Sequence, residues 1–188
     1  SETKLPIEWD KVKNVKWRVE LPEAGNSSPV ISGDRIFLTQ PNTGKKRRGL
    51  LCLDRKSGKT LWEKSVEYQT KERTHRTNHF CSSSPATDDE RVIVAYGSAG
   101  IFCYTHDGRE LWQQDLGTID HVWGYGSSPL IYENLCIHYH GPGKGAALMQ
   151  GITEGVQQML REKLERERLK KAGSRVHQIL DEDGKSVL

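Results

Sequence analysis

The stretch Ser27-Ser28-Pro29-Val30-Ile31-Ser32-Gly33-Asp34-Arg35-Ile36-Phe37-Leu38-Thr39 opens with a tripeptide that returns twice. The other copies are Ser83-Ser84-Pro85 and Ser127-Ser128-Pro129. Each copy runs into a short apolar segment, a polar turn and a second apolar segment. The turn residues Gly33-Asp34, Asp88-Asp89-Glu90 and Glu133-Asn134 are the small polar types that close tight hairpins. A repeat of this kind is read before anything else, because it sets the architecture.

A second pattern comes after the first. LLCLDRKSGKTLW ends at Trp62 and IFCYTHDGRELW ends at Trp112. Both read as strand, Asp/Gly turn, strand, Trp. Trp17 precedes the first Ser-Ser-Pro as Trp62 and Trp112 precede the next two. Each unit is thus four short strands in about 45 to 55 residues, which is the count and period of a propeller blade. A sandwich would also have short strands but does not need repeated sequence. The expected fold is all-β: a β-propeller of four-stranded antiparallel blades, with about three blades present and the ring incomplete. Blade 1 is placed at about 18–66, blade 2 at about 67–116 and blade 3 at about 117–188.

The third unit departs from the pattern. After Gly141 the expected strand gives way to a charged segment, and Asp183-Gly184-Lys185-Ser186-Val187-Leu188 aligns with Asp107-Gly108-Arg109-Glu110-Leu111-Trp112. The reading is a third strand delayed by an insertion at about 144–174. Ile152, Val156, Met159, Leu160 and Leu164 follow helical spacing, with Thr153 as N-cap and Gly173 past the end. The insertion is therefore expected to be a helix, lying either on its own blade or on a partner.

The bulk numbers narrow the classes. The chain has 188 residues and a formal net charge of +3, too small to imply nucleic acid. No apolar run reaches the roughly 18 residues that span a membrane. Cys52, Cys81, Cys103 and Cys136 form no CxxC. Cys52 and Cys103 fall at equivalent strand positions of neighbouring blades, too far apart for a disulfide, so four free thiols are expected.

These motifs together resemble the pyrroloquinoline-quinone-like β-propeller repeat, in its non-enzymatic bacterial branch. The resemblance covers Leu5 to about Gly143, and weakly Val176 to Leu188. It implies seven or eight blades in an intact protein, a periplasmic or otherwise exported location, and a structural blade-docking role for Trp17, Trp62 and Trp112. The quinoprotein dehydrogenases of the same superfamily need aromatic stacking, cations for the quinone carboxylates and oxygen ligands for Ca²⁺. They often add adjacent cysteines, which this chain lacks. Asp54, Asp88 and Asp107 sit where Asp serves turn chemistry. No enzyme, no catalytic or metal-binding residue and no cofactor is expected. The alternative is part of a dehydrogenase using pyrroloquinoline quinone and calcium, with its site in missing blades.

In a propeller the connections between blades share a face with the hairpin between the second and third strands. Sorting the loops this way gathers Lys45, Lys46, Arg47 and Arg48 with Arg73, His75, Arg76 and His79 from the next connection. His121, Trp123 and Tyr125 come from the one after. The expected function is a non-catalytic scaffold that binds a protein partner through this basic, loop-rich face. A carbohydrate- or polyanion-binding module using Lys45 to Arg48 and Trp123 is the third reading. Self-association through uncovered blade faces is expected of an open ring.

Overall fold

The computed structural model describes residues 6–141 and the backbone of 147–152. The chain divides into Ser1–Gln150 and Gly151–Leu188, and only the first two residues of the latter are described. The first sheet holds β1 (Val30–Ser32), β2 (Arg35–Asn42), β3 (Arg47–Asp54) and β4 (Thr60–Glu67). The second holds β5 (Ala86–Thr87), β6 (Arg91–Ala95), β7 (Ile101–Thr105) and β8 (Glu110–Gln114). The third holds β9 (Leu130–Tyr132), β10 (Leu135–His140) and β11 (Ala147–Ile152). The strands of each sheet are neighbours in chain order, and the pairs whose register is described are antiparallel.

The central strands read as unbroken apolar runs because both of their faces are covered. Phe37, Leu50 and Cys52 of the first sheet pack with Val92, Val94, Phe102 and Tyr104 of the second. The opposite face of the second sheet, with Ile93, Ala95, Ile101, Cys103 and Trp112, packs with Cys136 of the third and with Ile119 and Tyr125. Successive side chains point to opposite faces, so Phe37 and its neighbours Ile36 and Leu38 serve different interfaces. A fully buried side chain of this size contributes about 1.5–3 kcal/mol, which makes the inter-sheet layers the main source of stability.

Three repeated details explain the repeated letters. The backbone N–H of Ser28 donates to Ser84 Oγ at 2.8 Å, and that of Ser84 donates to Ser128 Oγ at 3.0 Å. The second Ser of each tripeptide thus links one blade to the next. The β3–β4 ladder slips between Cys52 and Leu53, and the β7–β8 ladder slips between Cys103 and Tyr104. Such a bulge re-aims the adjacent side chain, here Trp62 and Trp112 beside those cysteines. Trp17 Nε1 donates to the Arg55 carbonyl and Trp62 Nε1 to the His106 carbonyl, each at 3.0 Å. Each indole therefore sits on the turn after the third strand of the following sheet. Gly58 (φ +73°) lies so close beneath Trp17 that a Cβ there would come within 2.6 Å of the ring.

All four cysteines are buried and unpaired. The third sheet corrects the sequence reading. Residues 147–152, expected at the front of a helical insertion spanning 144–174, form β11. Strand β11 takes the third place in its sheet, after β9 and β10, so the third strand is not delayed. The spacing of Ile152 to Val156 fits a helical stripe, yet cross-strand pairing decides the conformation of Ile152. The remainder of the expected helix, from Thr153, and the stretch Val176–Leu188 lie outside the described residues. Among the described residues no helix is long and apolar enough to cross a membrane.

Candidate functional site

The β2–β3 hairpin begins the site. Its tip is held by Lys46 N–H donating to the Thr43 carbonyl at 3.0 Å, with Lys46 in the left-handed region at φ 51°. The carboxylate of Glu23 accepts from Thr43 N–H and Thr43 Oγ1, both at 2.7 Å. Lys45 and Lys46 project from this tip and are exposed. Where β3 starts, the period of two divides the basic run. Arg47 pairs across the ladder with Glu67 at 2.8 Å, half in solvent. Arg48 turns inward.

Arg48 is buried, and its Nη2 lies 3.0 Å from Glu72 Oε2, with both side chains 5% exposed. Its guanidinium carbon stands 3.7 Å from the Phe80 ring centroid and 5.6 Å from that of Tyr68. The other oxygen of Glu72 accepts from Ser98 Oγ at 3.1 Å, and Ser98 Oγ in turn accepts from Ile119 N–H at 2.8 Å. Ser98 belongs to the 3-10 turn Gly97–Ala99 between β6 and β7. One chain of contacts thus fastens a hairpin of the first sheet, both connections between sheets and a turn of the second. A Cβ on Gly97 (φ +61°) would sit 2.8 Å from Glu72 Oε1, so the turn needs glycine there.

The two connections also lock to each other. Arg73 reaches Asp120 Oδ1 through Nε at 2.9 Å and Nη2 at 2.7 Å. Asn78 Nδ2 donates to the Trp123 carbonyl at 2.6 Å. His75 and Asn78 form an isolated bridge, and His75 Nδ1 meets Thr77 Oγ1 at 2.8 Å. The His75 ring stands 4.6 Å from that of Trp123. His121 Nδ1 accepts from Trp123 N–H at 3.4 Å. The result is a backbone-pinned indole that is still 57% exposed, beside the similarly exposed Val122. Such a rigid exposed aromatic is the type of side chain that dominates protein interfaces.

Tyr125 is not part of the surface. It is buried, donates to the Ser127 carbonyl at 2.6 Å and meets His138 Nε2 at 2.9 Å. Burial pushes its phenol above the usual range. His138 is held down to about 4, chiefly by burial and secondarily by neighbouring His140. His79 is half-buried and lines a small pocket with Arg48, Glu72, Phe80 and Cys81. That pocket has room for about one water molecule.

The structure brings His75, His121 and Trp123 together and ties Arg73 to Asp120, while Lys45, Lys46 and Arg47 stand on the β2–β3 hairpin and Arg76 in the bridge turn. It buries Arg48 and Tyr125 as a foundation beneath these loops. Sequence reasoning misses Glu72 and Ser98, which hold the foundation together. The one signal for them is a lone acid, Glu72, within the basic connection Lys71–Arg76. Three aspartates serve turns. Asp54 Oδ1 accepts from Ser57 N–H at 2.7 Å and Asp88 Oδ1 from Arg91 N–H at 2.7 Å, while Asp107 accepts from Thr105 Oγ1. These hydrogen bonds lower the carboxyls of Asp54 and Asp107, and lower Asp88 against its partial burial. Among the described residues no group of three or more His, Cys, Asp or Glu could hold a metal.

A family model described as outer membrane protein assembly factor BamB matches this chain twice, over residues 5–118 and 46–158. The two matches overlap in staggered register, as a repeat allows. Among solved structures, the crystal structure of BamB from Moraxella catarrhalis superposes with a TM-score of 0.53 at 19% identity. It covers 73% of this chain and 40% of that chain, so this chain spans about two-fifths of that protein's length. At that identity the likeness speaks for the fold. The computationally designed Ika4 protein superposes with a TM-score of 0.29 at 10% identity, over 71% of this chain and 95% of that one, and carries no argument. No curated protein matches.

Proposed function

The chain belongs to the outer membrane protein assembly factor BamB family of propeller repeats, and from that premise we propose that it is a non-catalytic scaffold that binds a protein partner through its basic loop face. The observation that carries this reading is the meeting of the two connections at an exposed Trp123, whose backbone Asn78 holds and whose ring His75 flanks. Lys45, Lys46 and Arg76 supply positive charge on the same face, which suits an acidic partner surface and speeds its approach. The family assignment supports an exported location. Self-association through uncovered sheet faces belongs to the same proposal.

Reversing Lys45 and Lys46 to Glu tests it. Arg48 stays untouched, because reversing it would bury two facing acids. Partner capture from native extract should fall about tenfold at low salt and lose its salt dependence, while far-UV circular dichroism stays unchanged. Equal recovery by both proteins, insensitive to salt, would move the binding site elsewhere.

A further inference from the structure

Strand β10 sends Cys136, His138 and His140 to one face, and Cys136 packs there against the second sheet. Both histidines are buried, with 3% and 5% of their surface exposed. In the repeat, His138 takes the place of Leu38 and Val94, and His140 that of Gln40 and Tyr96. Leu38 and Val94 are buried apolar side chains, so packing at this position does not require an imidazole.

Each ring is anchored through one nitrogen. Tyr125 Oη donates to the Ser127 carbonyl at 2.6 Å, which commits its proton, so its oxygen accepts from His138 Nε2–H at 2.9 Å. The His138 proton is thereby fixed on Nε2, and Nδ1 carries a bare lone pair. The Gly117 backbone hydrogen-bonds the His140 ring in the sense that favours a proton there, as an accepting carbonyl does. Among the described residues, Nδ1 of His138 and Nδ1 of His140 are both buried without a hydrogen-bond partner. The Gly117 contact therefore falls to Nε2 of His140, and its Nδ1 is bare as well. Leaving two buried acceptors unpaired is costly. An imidazole that gives one N–H to a protein oxygen and keeps its other nitrogen free is prepared as metal-ligating histidines are.

The electrostatics favour a cation. Burial lowers both rings, His138 to about 4. Both are then neutral at neutral pH, which is the form that ligates a metal. Against that burial, the Asp115 and Glu72 carboxylates act on His140 in favour of positive charge. The two ring centroids stand 6.5 Å apart. An ion bound about 2.0–2.1 Å from a ring nitrogen lies roughly 3 Å from the ring centre, so one ion holds two rings with centres up to roughly 6 Å apart. A small turn of the rings would seat it.

We propose that His138 and His140 hold a transition-metal ion of the kind that imidazole binds, Zn²⁺ or Cu⁺, through their Nδ1 atoms between the second and third sheets. The site is separate from the partner-binding surface, since both histidines are buried.

Calorimetric titration of the full chain tests the proposal, with ZnCl₂ in one arm and Cu⁺ against a competing chelator under anaerobic conditions in the other. One ion should bind per chain in at least one arm, and the arm that responds identifies the metal. His138→Leu and His140→Gln restore residues that the repeat uses at these places, and each should raise the dissociation constant at least tenfold while circular dichroism keeps its strand signal. If these variants fail to fold, ¹⁵N NMR of the histidine-labelled wild type decides. Addition of the ion should shift the Nδ1 signals of His138 and His140 and leave their Nε2 protons in place. No binding in either arm overturns the site. Binding that ignores both substitutions, or Nδ1 signals that do not move, overturns it equally by placing the ion elsewhere.

Discussion

Removing Glu72 should cost far more than removing any other acid paired to an arginine on the loop face. The Arg48–Glu72 pair has both side chains 5% exposed, whereas Arg47–Glu67 has 43% and 57% and Arg73–Asp120 has 52% and 75%. Truncating one partner of a buried pair leaves an uncompensated charge and costs about 3–5 kcal/mol. Glu72→Ala also removes an acceptor from Ser98 Oγ. An exposed pair contributes about 0.2–1 kcal/mol. For a chain of this size 1 kcal/mol moves Tm by about 2–4 °C, so Glu72→Ala should lower Tm by about 10 °C and Glu67→Ala by at most about 4 °C. Thermal unfolding followed by tryptophan fluorescence measures both. Arg48→Met with Glu72→Leu should recover much of the loss, because Phe80 and Tyr68 then flank an apolar side chain and no charge is buried. If Glu72→Ala and Glu67→Ala cost the same, the keystone role of the buried pair is wrong.

The same geometry sets three further outcomes. Gly58→Ala should destabilise by about 1–3 kcal/mol in urea titration, because its positive φ resists a side chain and the new Cβ meets Trp17; a neutral result would mean that Trp17 is not seated there. Burial pushes the thiols of Cys52 and Cys136 up to about 11 and those of Cys81 and Cys103 up to about 12, so a disulfide-exchange reagent at neutral pH should find none in the native protein and four in denaturant. His138 is held near 4 in the folded state, so it stays neutral there while the unfolded chain binds a proton below its ordinary value of 6.5. Stability should therefore be full above about pH 6.5 and fall by about 3 kcal/mol as pH drops to 4. His138→Gln should flatten that slope, and an unchanged slope would place the acid sensitivity elsewhere.

Repeated Ser-Ser-Pro, the Asp/Gly turns and the spaced tryptophans determined the sheets of the first two blades, since each letter makes a local or next-blade contact that recurs with the repeat. Topology alone also determined which loops share a face, because alternating strands send their connections to alternating ends. The direction of each side chain on that face required the tertiary structure. Lys45-Lys46-Arg47-Arg48 reads as one basic run, yet β3 begins at Arg47 and its alternation sends Arg48 inward. Its partner Glu72 lies in a connection with no period to mark it, and the pair exists only once two loops meet. Tyr125 likewise reads as a surface aromatic until the third sheet brings His138 against it. Residues 147–152 show the same limit: Ile152 has helical spacing to Val156, and cross-strand hydrogen bonds to β10 settle the conformation. Sequence carries what neighbours along the chain or one repeat away enforce. Burial and ion pairing at this site are made by segments with no fixed spacing, so only folding decides them.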